Sequence, residues 1–194
     1  MSLALGLMVV SAAPAAADWF VAPFLGVKFA GDTSLLDDQG ASNQKLTYGA
    51  VAGFMGPGLF GAEVDFGYTP RFFERSAGLI IAQSQVLTLM GNLVVTVPQG
   101  WAGYALRPYV SGGAGYMQIR IDYSGDVFPP FASDRLAVNV GGGAVGGLTA
   151  RTSVRFDLRY FKSVNTGDEE DTTSPIVGAL SLHFWRASVG LTIR

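Results

Sequence analysis

Several groups in this chain could do chemistry, and their spacing narrows what that chemistry can be. In "VRFDLRYF", residues 154–161, Arg155, Asp157 and Arg159 recur at every second position. In "AEVDF", residues 62–66, Glu63 and Asp65 keep the same spacing. In an extended chain that period puts each set on one face, ready to meet a common partner. Gly141, Gly143 and Gly146 satisfy G-x-G-x-x-G. A dinucleotide site needs a helix after that turn, whereas here Leu148-Thr149-Ala150-Arg151 leads into another alternating run. The glycines read instead as places of close backbone approach within strands. The acidic run Asp168-Glu169-Glu170-Asp171 carries oxygen ligands but lacks the regular spacing of a calcium loop, and reads as a solvated loop. With no cysteine, thiol catalysis, disulfides and thiolate-bound metals are excluded. A net charge of −2 leaves no electrostatic footprint for nucleic acid. No cofactor and no metal is expected.

These residues lie in segments that alternate. From Asp18 onward no amphipathic helix is evident, and eight strands are predicted at about 19–29, 46–55, 59–69, 84–97, 107–123, 134–148, 152–163 and 184–194. The joins between them alternate strictly in length. "GPG", "PQGWAGYAL" and "TAR" are short, whereas about 30–45, 70–83, 124–133 and 164–183 are longer and polar or irregular. In an up-and-down barrel every second join lies at the same end, so one rim carries tight turns and the other long loops. The second long join is unusually apolar at "RFFERSAGLII", and is expected to pack over the barrel mouth.

Composition fits the same architecture. The chain is 49% hydrophobic and only 14% charged, yet beyond its first residues no run of eighteen apolar residues marks a membrane helix. Alternation spreads the apolar content out, which is how a transmembrane barrel escapes a hydropathy window. At 194 residues one domain is expected. Residues 1–17 read as a signal peptide, with an apolar Leu3–Val10 stretch and Ala15-Ala16-Ala17 before Asp18, although no Lys or Arg precedes the apolar stretch. Residues 18–194 form the barrel domain.

Parity alone does not say which face is inside. In a soluble barrel the apolar parity would line the cavity. Here that parity holds bulky aromatics near predicted strand ends (Phe60, Phe66, Tyr68, Phe156, Tyr160, Trp185), as an interfacial girdle requires. The other parity is rich in glycine and small polar residues, suited to filling the narrow interior of eight strands. Strands three and seven would then face each other across the lumen. A cross-lumen ionic cluster of Glu63, Asp65, Arg155, Asp157 and Arg159 is therefore expected, joined by Arg186 or Arg120.

In the order and spacing of "DWFVAPFLGVKF", "RPYVSGGAGY", "NVGGGAVGGL", "SVRFDLRYF" and "FWRASVGLTIR", the chain resembles the small outer-membrane β-barrel family typified by the OmpA transmembrane domain and OmpX. The resemblance covers about residues 18–194. It implies an all-β, eight-stranded antiparallel up-and-down transmembrane β-barrel in the bacterial outer membrane. It also implies contact with outer-membrane lipid, lipopolysaccharide and the barrel-insertion machinery. Family members usually end in an aromatic residue, whereas Arg194 ends the chain given and the lipid-facing parity falls due at the next position. The function expected is non-enzymatic, envelope-structural or presenting surface loops. A narrow passive channel for ions or small solutes is one alternative. A lipid A-modifying enzyme is another, since such barrels place a His and a Ser two residues apart on a late strand. Ser163 has a comparable setting, but Phe161 stands where that His would be, and the one histidine, His183, lies near the rim of strand eight.

Overall fold

The computed structural model describes residues 18–30, 44–72, 81–98, 101, 106–123, 131–164 and 182–194. The expected signal peptide, the acidic run at 168–171 and most of the apolar second join lie outside these residues. Eight strands follow in chain order: β1 (Asp18–Phe29), β2 (Lys45–Met55), β3 (Phe60–Pro70), β4 (Ile81–Thr96), β5 (Arg107–Tyr123), β6 (Phe131–Gly147), β7 (Thr152–Ser163) and β8 (His183–Ile193). The alternation predicted their ends to within three residues, the largest differences being the starts of β4 and β6.

Every strand pairs antiparallel with its sequence neighbour, and β1 pairs with β8, which closes the barrel. Consecutive pairing is what short turns and simple loops permit, and closure removes the unpaired edges that hydrocarbon would not tolerate. Ala30 and Arg71 adopt left-handed backbone angles, φ 44° and 55°, where β1 and β3 give way to the long joins.

The alternation of burial follows the pleat. On β3, Gly61, Glu63, Asp65, Gly67 and Thr69 point inward, while Phe60, Val64 and Phe66 are exposed. On β7, Ser153, Arg155, Asp157, Arg159, Phe161 and Ser163 point inward, while Phe156 and Leu158 are exposed. The outer surface is thus the greasy one, an arrangement stable only where hydrocarbon is the solvent. Two aromatic groups bound it. Trp19 meets Phe54 edge-on at 5.8 Å near the short-turn rim, and Phe60 nearby is 74% exposed. Toward the other rim Tyr48 packs on Tyr68 at 5.4 Å, and Tyr160 on Trp185 at 5.2 Å. Phe60 and Tyr68 are eight residues apart, about 27 Å along the strand and roughly 20 Å along the membrane normal at a tilt of about 40°. That is somewhat less than the apolar band of about 25 Å typical of such barrels.

The lumen is layered. Toward the long-join end Val86, Met90, Met117, Phe161, Leu182 and Phe184 form an apolar cluster with Phe72, which also stacks edge-on against Phe184 at 5.4 Å. Phe72 is the second residue of the apolar join and packs into this cluster; residues 73–80 of that join lie outside the described residues. Toward the short-turn end Phe20, Phe24, Val51, Met55, Val94 and Val145 are among a second apolar cluster. This explains why β1 reads as apolar on both parities: its inner face fills the lumen while its outer face meets lipid.

Candidate functional site: an ionic belt across the lumen

Between the two apolar layers, β3 and β7 face one another across the ring. The pleat aims Glu63 and Asp65 inward from one side and Arg155, Asp157 and Arg159 from the other, and β8 adds Arg186. The Arg159 side chain donates from Nη2 to Glu63 Oε1 at 2.8 Å. Its Nε and Nη2 also fork onto the two oxygens of Asp157 at 3.1 and 2.8 Å. Arg155 donates to Glu63 Oε2 at 2.7 Å and lies 3.4 Å from Asp157. Arg186 grips both oxygens of Asp65 at 3.0 and 2.5 Å, and Arg159 Nη1 lies 3.5 Å from the same carboxylate. Three guanidinium groups meet three carboxylates, so the belt is neutral, and all six side chains are buried. Bidentate, charge-assisted pairing of this kind is what allows buried charges to persist.

Neighbouring strands complete the network. Tyr109 on β5 donates its hydroxyl to Asp157 Oδ2 at 2.6 Å, and Asn92 on β4 donates to Glu63 Oε1 at 3.3 Å. The flat faces of the guanidinium groups lie on rings: Arg155 over Tyr109 at 4.5 Å, and Arg186 over Phe24 and Phe161 at 4.5 and 4.9 Å. Cation–π contact of this kind ties the belt to the apolar layers on either side. Sequence reasoning missed Tyr109 and Asn92. Asn92 was visible on the polar parity of β4, and Tyr109 shares the inward parity of Ser111 and Gly113, but an aromatic residue there reads equally well as lipid-facing. Arg107 was missed too. At the start of β5 it donates to the carbonyl oxygens of Val97, Gly56 and Gly58 at 2.8, 2.9 and 2.8 Å, stapling two short-turn connections together.

All six residues expected in the cluster meet here. Arg120 does not. It lies on the outward parity of β5, where odd-numbered residues such as Met117 and Ile119 face the lumen, and it is exposed. Ser163 and His183 stand apart in a more telling way. Ser163 points into the lumen, where its hydroxyl accepts the Leu182 N–H at 2.9 Å. His183 belongs to the outward parity of β8 and lies beside the Tyr160 ring at 6.1 Å. The barrel wall separates the two, so they make no nucleophile and base pair. Gly141 and Gly143 are inward strand residues, and a Cβ on Gly143 would lie 1.9 Å from the Phe156 carbonyl and 2.8 Å from the Tyr109 hydroxyl. Their role is close approach, with no nucleotide-binding turn. Among the described residues no cluster of His, Asp and Glu has the form of a metal site.

A closed eight-stranded ring with a lipid-facing exterior and a charged interior already limits the possible families. The model of the outer membrane protein beta-barrel domain matches residues 2–191. The chain belongs to that family. Its members' fold recurs in solved structures at low sequence identity. Neisserial surface protein A is 12% identical with a TM-score of 0.66, over 90% of this chain and 96% of that one. OprG from Pseudomonas aeruginosa is 14% identical with a TM-score of 0.58, over 91% and 95%. Ail, the attachment invasion locus protein of Yersinia pestis, solved with the heparin analogue sucrose octasulfate, is 13% identical with a TM-score of 0.54, over 90% and 98%. No curated protein matches this chain in sequence. It is an outer-membrane β-barrel protein of bacterial type.

Proposed function

We propose that this barrel is a non-enzymatic envelope protein, a rigid and non-conducting transmembrane scaffold that carries long surface joins. The carrying observation is the filled lumen. Ion passage would have to break a neutral belt whose six charges are already paired, and cross an apolar layer on each side of it. A void beside the belt measures about 10 Å³, room for one water. Its partners on this reading are outer-membrane lipid and lipopolysaccharide around the apolar wall, and the barrel-insertion machinery during assembly. Against an enzymatic role stand the opposite orientations of Ser163 and His183 and the pairing of each belt carboxylate with a guanidinium group.

Planar lipid bilayers provide the test. Purified barrel should insert and give little or no steady current, and a stable unitary conductance would favour the passive channel. For the enzymatic alternative, expression in a bacterium of known lipid A structure should leave acylation unchanged. An altered pattern that Ser163→Ala abolishes would overturn the proposal.

A further inference from the structure

The wall of the barrel is not equally sealed all round. The β7–β8 ladder runs unbroken from Thr152↔Ile193 to Lys162↔His183. The β1–β8 ladder runs from Phe29↔Trp185 to Phe24↔Gly190 and then resumes only at Val21↔Ile193. The break falls at Pro23, which has no N–H to donate. Below it a single pair holds the end of β8 to β1, while β7 still grips that end through Thr152↔Ile193 and the Arg194 N–H to the Arg151 carbonyl at 3.0 Å.

The inner face of this seam differs from the rest of the short-turn rim. Elsewhere bulky side chains fill it, with Met55, Val94 and Val145 buried and Arg107 held between the turns, although Thr96, Ser111 and Ser153 are buried there too. Along the seam β8 turns Thr192, Gly190 and Ser188 inward, all small or polar, and β1 sets Ala22 between the buried rings of Phe20 and Phe24. They lead to the void of about 10 Å³, where Ala22, Phe24, Ser188 and Gly190 of the seam and Val51 of β2 meet Asp65, Arg155, Asp157 and Arg186. Two of these belt residues keep buried donors that no protein atom accepts, Nε and Nη1 of Arg155 and Nε of Arg186, and Thr192 Oγ1 is buried and equally unpartnered. Buried polar atoms of this kind are ordinarily met by ordered water when the site is polar and large enough.

We infer that a one-sided water path follows the inner face of the β1–β8 seam, from the short-turn rim past Thr192 and Ser188 to a water site bound by Arg155 and Arg186. Fraying of the last residues of β8 from β1 opens it. The apolar cluster around Phe161 and Phe184 stops it on the far side of the belt. The lumen is then hydrated from the side of the tight turns, the periplasmic side, and closed to the other. This differs from a channel: water reaches the belt and returns the same way.

The natural absence of cysteine makes the path directly testable. Single variants Ser188→Cys, Thr192→Cys and Val94→Cys, folded in detergent micelles, are exposed to the small neutral reagent methyl methanethiosulfonate and followed by mass spectrometry. Val94 is also buried but belongs to the apolar layer across the lumen. Thiols at 188 and 192 should be modified about tenfold faster or more than the one at 94, because local opening of the seam sets their rate. Adding Ala22→Leu to Ser188→Cys should slow it to the Val94→Cys rate. Equal rates at all three positions, or no effect of a folded Ala22→Leu variant, would overturn the inference. Should that variant fail to fold, deuterium exchange on the unaltered protein decides. Amides of Val21, Ala22 and Phe24 and of residues 191–194 should exchange before those of the β3–β4 ladder, and equal protection would refute the path.

Discussion

At the scale of single residues, the belt is a set of charges that survive burial only together. Glu63 accepts hydrogen bonds from Arg155, Arg159 and Asn92, so its loss leaves two guanidinium groups short of a counter-charge in a dry interior. Glu63→Gln should lower the stability of the folded barrel by about 3–5 kcal/mol, read from urea unfolding in lipid or detergent. Removing both members of a pair is a different experiment. Asp65→Leu with Arg186→Met should cost less than either change alone, since no buried charge is then left without its partner. A double variant no more stable than the worse single one would count against this reading. The five charged members on strands three and seven were legible from alternation together with the girdle aromatics, because inward charges must find partners and those strands are opposite, whereas the choice of Arg186 over Arg120 came from the structure. Tyr109 was not legible, since nothing in a period of two distinguishes an aromatic residue packed against a guanidinium from one facing lipid. Gly143 belongs with it. Gly143→Ala should push Tyr109 off Asp157, and near-ultraviolet circular dichroism of the folded protein should register the displaced ring.

At the scale of the strands, the same side-chain type has opposite consequences on the two faces. Leu158 is exposed on β7 between Asp157 and Arg159, which are buried. Leu158→Arg should destabilise the barrel in bilayers by about 2–4 kcal/mol, whereas Ile193→Arg at the rim should cost about 0–1 kcal/mol. Comparable costs at the two depths would refute the membrane placement of this face. Strand boundaries were readable because turn residues and the parity break coincide, as at Gly56–Gly58 and at Thr149–Arg151. The early starts of β4 and β6 were not, since "IAQ" and "FAS" do not alternate and are drawn into strands by neighbours that extend beside them.

At the scale of the whole molecule, closure makes the stability cooperative: no strand can leave without exposing two unpaired edges to hydrocarbon. The intact barrel should therefore resist detergent and migrate differently on a gel before and after boiling, and identical migration would indicate that the ring does not close. The β1–β8 ladder is where this cooperativity is weakest, because Pro23 interrupts it close to the end of β8.

What the order of residues determined by itself was the period, the number of strands, the alternation of short and long joins, and the resulting up-and-down topology. Each is local, arising from the pleat and from turn chemistry. Which face met lipid could be argued from girdles and glycines, but only closing the ring decided it, by placing Glu63 against Arg155 and Arg159 over a sequence separation of more than ninety residues. The layers that seal the belt, the capture of Arg107 by two turns and the gap behind Pro23 were likewise decided by tertiary structure. They depend on the height at which residues of non-neighbouring strands meet, and that height is set by the stagger of the whole ring.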